Sequence, residues 1–196
     1  MKYLIFIQSL KPKEWEVGEI IAYEIVHNPK YVDCHPCLFL VNNYQEVLDI
    51  LINEKYMFPQ VTNEDAIVIQ IDAHSNEDGL YFYDKNLKST SYVKWQEFNN
   101  MLSLLYSKYG ENLLIILVSC ISAPFFQEIE SPHIKLIAAD NIVSPRRAEE
   151  QLLKFYNSFC TGKSFEEAYD DMIKAFPIED ELKRESKEKS ILRFIK

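Results

Sequence analysis

No apolar run in this 196-residue chain approaches the roughly 18–20 positions that a membrane-crossing helix needs. Basic charge is also in short supply. Lys and Arg number 21 against 30 Asp and Glu, a formal net charge of −9. That balance argues against nucleic-acid binding, because phosphate contacts require clustered Lys and Arg. Internal repeats, low-complexity tracts and an interdomain linker are all missing, which sets solenoid and multi-domain layouts aside. The opening MKYLIFIQSLKPKEW is interrupted too soon by Lys and Pro for a signal peptide, and it reads as a first strand. Without an export signal, the four cysteines are expected to be free thiols in a reducing, cytoplasmic compartment rather than a disulfide framework. What remains is a globular composition, with 47% hydrophobic, 26% charged and 13% aromatic residues. It predicts one domain over residues 1–196 with an ample core.

Five short apolar runs punctuate the chain: Tyr3–Ile7, Cys37–Val41, Ala66–Ile71, Leu113–Val118 and Ile134–Ala139. Each is apolar at successive positions rather than alternate ones, the pattern of a strand buried on both faces of a parallel sheet. Helical spacing lies between them. Glu16–His27 carries Val17, Ile20, Ile21 and Ile25, with Gly18 as a mild cost. Asn43–Tyr56 carries Val47, Leu48, Leu51 and Ile52, with Asn42 or Asn43 as N-cap. Lys94–Tyr109 ends at Gly110, where a C-cap glycine belongs. Leu80–Tyr83 suggests an extra hairpin strand. The alternation predicts an α/β domain: a three-layer α/β/α sandwich around a mainly parallel central sheet.

Residues 144–196 are expected to form C-terminal helices. Ser144-Pro145 reads as an N-cap with proline at the first helical position, opening a helix to Cys160. Ser164 with Glu167 forms a capping box for a helix to about Phe176. Glu179–Lys196 is expected to be a charged amphipathic helix contacting the core through Leu182, Ile191, Leu192 and Phe194.

Ligand-binding and catalytic residues of open parallel sheets gather at the carboxyl ends of the strands. The third run ends in Ile71-Asp72-Ala73-His74-Ser75, the fourth in Val118-Ser119-Cys120-Ile121-Ser122. If these strands are neighbours, an imidazole and a thiol share one sheet edge. That pair is the minimum kit for acyl transfer: a nucleophile, and a base that later protonates the leaving amine. Either residue alone would read as core or rim packing. Their joint placement makes them candidates.

These junctions carry a resemblance. Ile71–Gly79, Leu80–Tyr83, Trp95 with its helix, and Asn112–Ser122 together resemble the core of caspase-like (clan CD) cysteine peptidases. The likeness is greatest to the CHAT branch, a bacterial group related to separase. There, a histidine usually followed by glycine ends the third strand, and a cysteine followed by small residues ends the fourth. Asp140–Phe176 resembles the close of CHAT domains, where two helices follow the fifth strand. The resemblance spans about residues 37–176. It implies a cysteine endopeptidase that uses no metal or other cofactor and cleaves a protein substrate, with a regulatory sensor or activating protease as partner and no role for nucleic acid or membrane. Cys120 would attack the scissile carbonyl, the backbone N–H groups of Ser75 and Cys120 would form the oxyanion hole, and His74 would act as acid and base. Asp140 is a candidate substrate-binding carboxylate, with a turn aspartate as the plainer reading.

Two positions depart from the family pattern. Ser75 stands where glycine is usual and would be strained if the site demanded a positive φ. Val118 stands where members that cut after Arg or Lys often carry an acid. A catalytically silent, partner-binding module on the same fold is the alternative reading. Ala123–His133, with Phe125 and Phe126, reads as a surface helix or as a gating loop. Cys34-His35-Pro36-Cys37 is a C-x-x-C pair, but it precedes a strand instead of opening a helix. A zinc site there would draw on His27 or His133, since no second ligand pair exists.

Overall fold

The computed structural model describes residues 1–53, 65–120, 122, 135–184 and 191–195. In chain order the elements are β1 Lys2–Ser9, α1 Val17–His27, β2 Cys34–Leu40, α2 Tyr44–Leu51, β3 Ala66–Ser75, β4 Gly79–Asp84, β5 Ser89–Lys94, α3 Trp95–Tyr109, β6 Leu113–Val118, β7 Lys135–Ala139, α4 Pro145–Cys160, α5 Phe165–Ala175, α6 Ile178–Leu182 and β8 Leu192–Ile195. The sheet runs β2-β1-β3-β6-β7-β8, with its first five strands parallel and β8 antiparallel at the edge. The β4–β5 hairpin continues antiparallel from the end of β3. The expected α/β/α sandwich is the observed fold, and no helix among the described residues is long and apolar enough to cross a membrane.

The uninterrupted apolar runs are explained by two packed faces. Successive strand side chains point to opposite sides of a sheet. Ile5, Ile7, Ile67, Ile69, Ile71, Leu113, Ile115 and Leu117 meet α2 and α3 on one side. Leu4, Phe6, Val68, Leu114, Ile116 and Val118 meet α1, α4 and α5 on the other. Every residue of β6 is buried. At about 1.5–3 kcal/mol for each fully buried Leu, Ile or Val, these central strands dominate the drive to fold.

Two glycines mark close approaches. A Cβ on Gly18 would lie 2.8 Å from the Asp72 carboxylate, so glycine in α1 lets that helix settle against β3. A Cβ on Gly79 would lie 1.9 Å from the Val93 carbonyl, so the β4–β5 hairpin closes only over glycine.

The expectations fail in two places. β2 begins at Cys34, not Cys37, and it is an edge strand whose outer residues are largely exposed. Its Pro36 is tolerated because an edge strand has an unused hydrogen-bonding side. The C-terminus is not one helix over Glu179–Lys196: α6 spans five residues, and Leu192–Ile195 form β8. Ile191 and Leu192 are both buried, with Leu192 paired to Ala139 of β7. The Tyr169 hydroxyl donates to the Leu192 carbonyl at 3.1 Å and helps hold the strand there. The expected helix over Asn43–Tyr56 is observed as far as Leu51, capped by Asn43, whose side chain accepts from the Glu46 N–H at 3.0 Å. Its last residues, like Ala123–His133 and with it Phe125, Phe126 and His133, lie outside the described residues.

Candidate active site

Register brings the two candidate residues level. β3 and β6 are parallel neighbours with Asp72 opposite Val118, and each candidate lies two residues further on, His74 after Asp72 and Cys120 after Val118. Both fall on the even-numbered positions whose strand neighbours face α1 and α4. A cleft of about 100 Å³ opens there. His74, Ser119 and Cys120 line it at the strand ends, Leu10 and Trp15 on the β1–α1 loop, and Val143 and Pro145 at the start of α4. It is smaller than a drug-sized pocket.

The segment after β6 is held from three sides. The Ser75 hydroxyl donates to the Cys120 carbonyl, a tie that glycine could not make. The Ser122 hydroxyl donates to the Ser119 carbonyl at 3.2 Å and accepts the Ala139 N–H at 3.1 Å, joining the turn to β7. The Val143 N–H points at the Cys120 sulfur at 3.5 Å. Cys120 is half-buried, whereas the His74 side chain is 50% exposed. Ser75 is not among the described non-glycine residues with positive φ, so the serine sits in the strand without backbone strain.

Beneath the rim lies a buried polar chain. The Gly18 N–H donates to Asp72 Oδ2 at 2.5 Å, Gln70 Nε2 donates to Asp72 Oδ1 at 2.8 Å, and the Tyr156 hydroxyl donates to Gln70 Oε1 at 3.0 Å. Glu16, the N-cap of α1, makes no side-chain cap, and Asp72 reaches across from β3 to serve one of the helix's free N–H groups. Burial pushes the Asp72 carboxyl up to about 7, against the opposing pull of its two donors.

One participant was not anticipated from the sequence. Glu14, in the loop after β1, places Oε2 2.9 Å from His74 Nε2. Sixty positions separate the two residues, and no local motif links them. The strand-end rule that drew attention to His74 and Cys120 applies equally to the loop following β1, and it is the signal that would have found Glu14.

The other candidates stand apart. Asp140, at the end of β7, does not line the cleft, and its carboxylate pairs with the Arg193 guanidinium. That partner comes from β8, the strand that replaces the expected helix. Cys34 and Cys37 do not meet as a pair: Cys34 is buried, Cys37 is exposed, and three residues along a strand face opposite sides. Cys34 instead belongs, with Cys160 at the end of α4, to the buried cluster on one face of the sheet. Among the described residues no cluster of three or more His, Cys, Asp or Glu is placed to hold a metal ion.

No family model matches the chain, and no curated protein does. Solved structures do match. Among them is the crystal structure of the Drosophila initiator caspase Dronc, with a TM-score of 0.62 at 14% sequence identity, over 99% of this chain and 78% of that one. The chain therefore has a caspase-like fold.

Proposed function

We propose that the chain is a caspase-like cysteine endopeptidase, a hydrolase working through a Cys120–His74 dyad. The observation that carries the reading is the level placement of the two residues at the ends of adjacent parallel strands, on one face and in one cleft. In the mechanism, His74 takes the thiol proton, the Cys120 sulfur attacks a peptide carbonyl, and a thioester forms as the amine leaves with a proton from His74. Water activated by His74 then hydrolyses the thioester. The N–H groups of Ser75 and Cys120 are the proposed oxyanion donors, and the Ser75 hydroxyl fixes their separation through the Cys120 carbonyl. Asp140, engaged by Arg193, has no part in this mechanism.

The finer reading is a CHAT-type effector in the cytoplasm, acting on a protein partner and released by a sensor or a partner protease. Two helices, α4 and α5, following the fifth parallel strand support it.

The test uses a pooled fluorogenic peptide-amide library and a peptidyl acyloxymethyl ketone probe. The parent chain is expected to cleave members of the library and to be labelled at Cys120. Cys120→Ala and His74→Ala are each expected to lower cleavage by about a thousandfold or more. Unchanged cleavage in either variant removes that residue from the mechanism. No cleavage and no labelling by the parent, alone or with its candidate activators, leaves the partner-binding module as the better reading.

A further inference from the structure

We propose that Glu14 completes the site as a positioning residue, holding the His74 imidazole in the tautomer protonated at Nε2 so that Nδ1 is the nitrogen that takes the Cys120 proton. The inference rests on the Cys120–His74 reading above and adds to it a third residue and a direction of proton transfer.

The chemistry follows from which atoms meet. A carboxylate only accepts hydrogen bonds, so a neutral imidazole whose Nε2 lies 2.9 Å from Glu14 Oε2 carries its proton on that nitrogen. Nδ1 then holds the free lone pair. When His74 takes the thiol proton, the same carboxylate faces the imidazolium and stabilises it, as the aspartate of a serine-protease triad does.

The carboxylate is held in place independently of His74. Its Oε2 also accepts the Lys11 N–H at 2.7 Å, and the Glu14 N–H donates to the Lys11 carbonyl at 3.2 Å, closing a turn over residues 11–14. Within that turn Lys13 has φ +74°, a left-handed conformation that costs a residue with a side chain about 1–2 kcal/mol. On the far side, Trp15 Nε1 donates to Glu149 Oε2 at 2.5 Å and fastens the loop to α4. A pair 31% and 50% exposed returns only about 0–1 kcal/mol of stability, too little to account for the strained turn. Strain retained where a loop aims one side chain at a reactive group is the pattern of a functional site.

The experiment reads the ring nitrogens directly. In ¹⁵N-labelled chain at pH 8, with the His74 signals assigned by loss in His74→Gln, the imidazole is expected as the Nε2–H tautomer. In Glu14→Gln, whose amide can donate as well as accept, it is expected to become a mixture. On the peptide library, Glu14→Gln is expected to lower kcat at least about tenfold with KM within about twofold, and Glu14→Asp to restore part of the loss. An Nδ1–H tautomer in the parent, a tautomer unaltered in Glu14→Gln, or a kcat unaltered in Glu14→Gln overturns the proposal. The spectrum needs no substrate. A failed peptidase assay with a Glu14-dependent tautomer therefore counts against the peptidase reading, and a cleaving enzyme with a Glu14-independent tautomer counts against Glu14.

Discussion

Cysteines occupy both ends of the parallel strands, and their settings differ in exposure and in what lies beside the sulfur. At the carboxyl ends, Cys120 is half-buried in an open cleft with an imidazole level with it and a backbone N–H aimed at its sulfur. At the amino ends, Cys34 and Cys160 are both buried in one apolar cluster. The interaction between the two thiols holds that of Cys34 below its ordinary range and, together with burial, pushes that of Cys160 above it. Around them, the Tyr31 hydroxyl donates to Asn157 at 2.6 Å, and the Lys2 ammonium donates to the Phe159 carbonyl and sits 4.3 Å from that ring's centroid. One end is a sealed seam between β2 and α4; the other presents its groups to solvent. Residue type alone does not make a thiol a nucleophile; a route in and a base beside it do.

The largest effect that sharpens this contrast is one of rate. With iodoacetamide on the folded chain, Cys120 is expected to alkylate about a thousandfold faster than Cys160, because reaching the buried thiol requires local opening. Exposed Cys37 provides an internal reference. Peptide mass mapping over time checks this, and equal rates for Cys120 and Cys160 would break the distinction between the two ends.

A thermodynamic difference comes next. Asp72, under the rim, has a folded pKa of about 7 against an ordinary 3.8. Between those values the folded chain keeps a proton that the unfolded chain has released. The group therefore favours folding most at about pH 4, and that contribution is lost as pH rises through about 7. Asp72→Asn is expected to remove this dependence, up to about 4 kcal/mol between pH 4 and 8, and to be more stable than the parent at pH 8. Urea unfolding at pH 4.5 and 8 measures it. A parent whose stability is flat, or rises, over that interval relative to the variant would contradict the buried-acid account.

At the sealed end the expected effect is smaller. Cys160→Ala removes one buried sulfur, and should cost about 1–2 kcal/mol with peptidase activity kept. Thermal unfolding and the library assay together test this. A large loss of activity without loss of stability would tie the two ends of the sheet functionally.

The central strands were legible because burial on both faces leaves an uninterrupted apolar signature, as in Leu113–Val118. The Ser164–Glu167 capping box was legible because both of its hydrogen bonds are local, and both form. β8 was not. Its residues had the composition of an amphipathic helix, and only the open flank of β7, more than fifty positions earlier, makes extension the better way to bury Ile191 and Leu192. The site divides in the same way. His74 and Cys120 end recognisable strands, whereas Glu14 becomes a partner only once β1 and β3 lie side by side.

By itself, then, the order of amino acids determined which segments form the central parallel strands, that the sheet would be covered on both sides, and that an imidazole and a thiol would stand at strand ends. Those are properties of short stretches, set by periodicity and local hydrogen bonding. Tertiary structure decided the rest: that Asp72 is sealed under α1 and raised in pKa, that Asp140 is taken by Arg193, and that a carboxylate from a strained turn reaches the imidazole. These depend on distances between residues far apart in the chain, and such distances exist only after the layers have packed.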